Sequence, residues 1–93
     1  MERAMLEQLI RDYRTYAAAH GEPNDGTPDW AERVNQAADH MLLIARAVGA
    51  SGAHAIARFG ELIHAEDPHL SEWAAHHLLD FMEPPAELRD AAL

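Results

Sequence analysis

The chain predicts an all-α domain, and three observations carry that prediction. Apolar residues recur at helical spacing in four separate segments. Ala fills 19 of the 93 positions, and Ala has the highest helix propensity. No segment alternates apolar and polar residues as a half-buried strand would. The length fits a single domain over residues 1–93.

The first helix is expected over residues 2–20. Met5, Leu6, Leu9, Ile10, Tyr13, Tyr16 and Ala17 fall on its spacing, and Gly21 supplies a stop. Glu22-Pro23-Asn24-Asp25-Gly26 is rich in turn formers. Thr27-Pro28-Asp29 restarts a helix, with Thr27 as cap and Pro28 at the first position. Trp30, Val34, Ala37, Met41, Ile44 and Val48 then step by four and three residues. Leu42 and Leu43 widen that stripe, so contact on more than one side is expected.

Gly49-Ala50-Ser51-Gly52 breaks the pattern. A third helix, over about 53–65, carries Ile56, Phe59 and Ile63 on one face. Gly60 sits in its middle, where glycine costs about 1 kcal/mol against Ala. Its missing side chain makes room for a close neighbour.

Asp67-Pro68 opens the fourth helix. Asp caps the free amides, and Pro fits the first helical position. The helix runs to about Met82. Leu70, Trp73, Ala74, His77, Leu78 and Phe81 cluster on one side. Ala75, Leu79 and Met82 form a second apolar strip, with Glu72, His76, Asp80 and Glu83 as a polar wedge between. A helix apolar on two sides needs neighbours in front and behind, as in stacked helical repeats. Pro84-Pro85 ends it, and residues 86–93 make a short fifth helix. Leu88, Ala92 and Leu93 are expected to pack back on the second strip. Trp30 and Trp73 both read as core residues, and His77 as filling a partly buried slot.

The run Asp67-Pro68-His69-Leu70, followed by Trp73-Ala74-Ala75-His76-His77-Leu78-Leu79, resembles the second helix of a HEAT-type repeat. More specifically, the chain resembles the small bacterial domain of unknown function 2019 family. Three further features are similar: Tyr16 to His20 running into Gly21-Glu22, the segment Asn35-Gln36-Ala37-Ala38-Asp39-His40, and Phe81-Met82-Glu83-Pro84. Ser71 departs from the pattern, standing where HEAT-like helices commonly carry Arg. The resemblance implies HEAT-like antiparallel helical hairpins, four helices plus a short C-terminal one. It implies no established activity, no cofactor and no catalytic residue.

The formal net charge is −9 and is unevenly spread. Residues 1–58 hold eight acids and six Arg, whereas residues 59–93 hold eight acids and Arg89 alone. Nucleic-acid phosphates and anionic membranes would be repelled by that second part. A basic protein partner is compatible with it. There is no cysteine, no basic leader followed by an apolar run, and no run near the ~20 apolar residues of a membrane span. A cytoplasmic location is the expectation.

Seven histidines invite a search for metal ligands. No His-Glu-x-x-His is present. Glu72 with His76, and His76 with Asp80, are each one turn apart, but a metal site needs three or four ligands. Ser51 and Ser71 lie in no nucleophile elbow, and Gly49-Ala50-Ser51-Gly52 lacks the Lys of a phosphate loop. The chain is therefore read as a non-enzyme without metal or other cofactor.

The functional expectation is protein binding by an immunity or antitoxin-type protein. Its binding face would be Glu72, His76, Asp80 and Glu83, extended by Glu66 and Glu87, against a basic bacterial toxin or effector. The alternative is a self-associating structural module. It would form a homodimer through Leu79, Met82, Leu88 and Leu93.

Overall fold

In the computed structural model, which describes residues 1–93, α1 (Arg3–His20) lies along α2 (Trp30–Gly49) in the largest helix–helix contact. The chain continues through α3 (Ala53–Gly60), a 3-10 turn (Glu61–His64), α4 (Pro68–Phe81) and α5 (Ala86–Ala92). There is no strand. The all-helical class and the five helices agree with the sequence.

Each long helix buries the stripe its spacing dictates. In α1 the buried residues are Leu6, Ile10, Tyr13 and Ala17, separated by four, three and four positions. In α2 they are Ala37, Met41, Ile44, Ala45 and Val48. Phe59, Leu62 and Leu78 complete a core in which Tyr13 is fully enclosed. Burying each large apolar side chain contributes roughly 1.5–3 kcal/mol. Arg58 of α3 ties that core to α1 from outside. Its guanidinium donates two 2.8 Å bonds to Glu7 and one of 2.7 Å to Glu61. The pair holds the Glu7 carboxyl below the usual carboxylate range, through the hydrogen bond from Arg58 first.

The start of α2 differs from expectation. Thr27 is not its cap; the helix begins at Trp30, after a turn at Pro28 and Asp29. The reason lies in the loop. Asp25 Oδ1 accepts from both the Thr27 amide (3.0 Å) and the Thr27 hydroxyl (2.6 Å), and the Thr27 oxygen itself accepts from Arg33 Nη1 at 3.1 Å rather than from a helix amide. Arg33 gathers the same loop by binding Asp25 and Asp29.

The third helix is not continuous to residue 65. It tightens into 3-10 geometry after Gly60, the residue with the weakest claim on an α-helix. Gly60 does admit a close neighbour. A β-carbon there would fall 2.5 Å from Leu88 Cδ2, so α5 rests its leucine on the bare backbone. Gly49 admits another, because a β-carbon there would fall 2.5 Å from the Phe81 carbonyl oxygen.

Asp67 and Pro68 begin α4 as the sequence indicates. Asp67 Oδ1 accepts from the His69 amide at 3.0 Å. Leu70, Ala74, His77 and Leu78 are buried on one side. Met82 is buried, and Ala75 and Leu79 are half-buried. Contact on more than one side therefore holds for this helix.

Several expected core residues are not in the core. Trp30 is half-buried and lies off the core, whereas Trp73, also half-buried, packs against it. Trp30 spends its indole N–H on the Glu22 carbonyl at 3.3 Å, which keeps it at the loop surface. Leu43 is 62% exposed, because α1, α3 and α4 all approach α2 from other sides. Leu93 is 84% exposed and does not pack back, while Leu88 and Ala92 do. Met82 is interior, so the apolar set proposed for self-association does not form one open surface. No helix is long and apolar enough to cross a membrane.

Candidate functional site: an acidic helix face and a histidine cluster

Helix α4 presents two unlike surfaces that meet at Trp73. On the outer one, Glu72, His76 and Asp80 follow at intervals of four and share an exposed face. His76 Nε2 lies 3.1 Å from Asp80 Oδ2. Glu72, Trp73 and His76 line a shallow depression of about 320 Å³, open to solvent. Glu66 and Glu83 are exposed just before and just after the helix. Glu87 stands apart on α5, bordering a different depression with His64 and Leu88. The structure thus joins Glu72, His76 and Asp80, flanks them with Glu66 and Glu83, and separates Glu87.

The inner surface is built from histidines that sequence spacing could not pair. Tyr13 of α1 and His77 of α4 are 64 residues apart, and their Oη and Nδ1 atoms lie 2.7 Å apart. One arrangement of protons satisfies both. Tyr13 is fully buried with no second partner, so its O–H must donate and His77 Nδ1 must accept. The His77 proton then sits on Nε2, which is not sealed from solvent. Burial holds the Tyr13 hydroxyl proton well above the ordinary tyrosine range, consistent with a donor. Burial also pushes the His77 imidazole down to about 4, helped by the neighbouring His76.

A second pair closes the other end of the same two helices. His20 Nδ1 and His69 Nε2 are 3.0 Å apart, with ring centroids 5.1 Å apart and ring planes 22° from parallel. The rings are nearly parallel, with one N–H donating and one nitrogen accepting. Burial, then the charge of His69, lowers the pKa of His20 below its ordinary value. Trp73 packs between the pairs, its ring 5.0 Å from that of His20 and 5.6 Å from that of His77.

His40, Ser51 and Ser71 are engaged locally. His40 stacks on Tyr16 at 4.4 Å, away from this cluster. Ser51 and Ser71 each donate their hydroxyl to a carbonyl one turn back. No three histidine or carboxylate side chains converge where one ion could be held. What the arrangement offers chemically is an anionic, aromatic-edged surface above a titratable seam.

The partly buried slot read for His77 is real, at 5% exposure. Tyr13, His20 and His69 were not singled out by sequence. A polar tip on an otherwise apolar α1 stripe, at Tyr13, was the available signal, since a buried tyrosine hydroxyl needs a partner. Comparison of the chain with protein-family models, with curated proteins and with solved structures finds no match.

Proposed function

We propose that this chain is a non-catalytic protein-binding domain, built as HEAT-like antiparallel hairpins, that docks a basic partner on the outer face of α4. The observation that carries the reading is the open depression where the Glu72 carboxylate, the Trp73 ring and His76 meet, one turn from Asp80. A guanidinium or ammonium group finds an aromatic surface and carboxylates there together. The excess of acids after residue 58 extends the field beyond the depression and steers a cationic partner toward it. An immunity or antitoxin-type role fits this chemistry, with the acidic face covering the cationic working surface of a toxin or effector.

The test is affinity capture at low and high salt, with the wild type beside a Glu72→Arg, Asp80→Arg, Glu83→Arg variant. A basic partner held at low salt, released by high salt and lost with the variant supports the reading. A partner held equally by the variant overturns it.

A further inference from the structure

We propose that the seam between α1 and α4 is an acid-sensitive latch, closed by two histidine hydrogen bonds and opened when their accepting nitrogens take up protons. The Tyr13–His77 and His20–His69 bonds are the side-chain hydrogen bonds that join these helices. They connect in opposite order, so α1 and α4 run antiparallel. Seven residues of α1 and eight of α4 separate them, roughly 10–12 Å of helix. Trp73 lies between, one turn from each histidine of α4.

Acid acts differently on the two bonds. A protonated His77 carries hydrogen on Nδ1 and can only donate toward Tyr13. The Tyr13 hydroxyl proton then has no acceptor, and full burial denies it water. The His20–His69 pair accepts one extra proton, because an imidazolium still donates to an imidazole. A second proton sets N–H against N–H and separates the rings.

The surroundings do little to offset that charge. His77 faces His76 and Asp80 on its own helix, with Tyr13 and His20 across on α1. Asp80 is the anion among them, and it is already paired with His76. From α2, Arg46 stands 5.6 Å over the ring of Phe81, which itself packs on His77. From α3, the apolar Phe59 packs on the Tyr13 ring. Near His69, Asp67 is engaged with the backbone amide. The lowered pKa values of His77 and His20 agree with this geometry. The α1–α2 contact uses neither bond, so mild acid loosens α4 while α1 and α2 remain helical and paired. This inference stands apart from the docking proposal and needs no partner for its test.

A Trp30→Phe background leaves Trp73 as the single fluorescent reporter, sitting in the seam. Its emission and the far-UV helical signal are followed from about pH 7.5 to about pH 3.5. The latch predicts an emission change between about pH 6.5 and 4 with the helical signal retained. His77→Asn and His69→Gln place uncharged amide acceptors near the original nitrogens. Together they shift that change down by about one pH unit or more, or abolish it. Should this variant fail to fold, ring-proton NMR of the wild type decides. His77 and His20 must titrate below the ordinary histidine range and in step with Trp73. Emission and helix lost together, an unmoved transition in the folded variant, or His77 titrating as an ordinary histidine overturns the latch.

Discussion

The Tyr13 hydroxyl donates to His77 Nδ1 at 2.7 Å inside the core, joining the first long helix to the fourth. The same tyrosine ring meets Phe59 edge to face at 4.9 Å. One side chain therefore serves as apolar packing and as the partner of a buried base.

Tyr13→Phe separates those roles. The substitution keeps the contact with Phe59 and strands the His77 acceptor. A loss of about 1–3 kcal/mol in unfolding free energy is expected, read from urea denaturation near neutral pH. A neutral effect would mean that the hydrogen bond contributes nothing net.

Stability should also fall in acid, through His77. Its folded value near 4 lies below the 6.5 of a free histidine. Between those values the unfolded chain binds a proton that the folded chain refuses. Stability therefore rises with pH across this window, is complete above it, and is lost as pH falls toward 4. The shift corresponds to at most about 3 kcal/mol. Urea midpoints measured across the window give the slope, and His77→Asn should flatten it.

Two glycine substitutions should behave in opposite ways. At Gly49 a methyl group meets the Phe81 carbonyl, which is backbone and cannot rotate away. Gly49→Ala should cost about 1–3 kcal/mol. At Gly60 the methyl group meets only the end of the Leu88 side chain, which has other rotamers. The gain in helix propensity, about 1 kcal/mol, offsets that contact. Thermal melting of the two variants should rank Gly49→Ala well below Gly60→Ala.

The outer face of α4 should tolerate charge reversal without unfolding. Glu72 and Asp80 are exposed, and their removal leaves no buried group unpaired. Glu72→Arg with Asp80→Arg should leave the melting temperature nearly unchanged while abolishing partner capture. A large drop in melting temperature would assign this face to folding instead.

Much of the fold was legible because helical periodicity is local. Leu6, Ile10, Tyr13 and Ala17 are buried as their spacing requires, and Asp67-Pro68 starts α4 where its chemistry dictates. Thr27 misled because its hydroxyl is held in the loop by Asp25 and Arg33, the second of which takes the oxygen a helix amide would have used. Trp30 misled because a stripe position at the start of a helix need not be covered by another helix. The acidic face was legible from residues four apart on one helix. The histidine seam was not, since pairs 49 and 64 residues apart leave no mark in local spacing.

The order in which the chain leaves the ribosome gives the α1–α2 contact a further meaning. Tyr13 is made 64 residues before His77, a delay of roughly 3–13 s at ordinary synthesis rates. Helices form in under about a microsecond, so α1 must wait with one apolar side uncovered. Its broad contact with α2 is made of neighbouring sequence and closes first. That early hairpin covers part of the apolar stripe of α1 until α4 emerges, and α4, made late in the chain, completes the enclosure of the first helix.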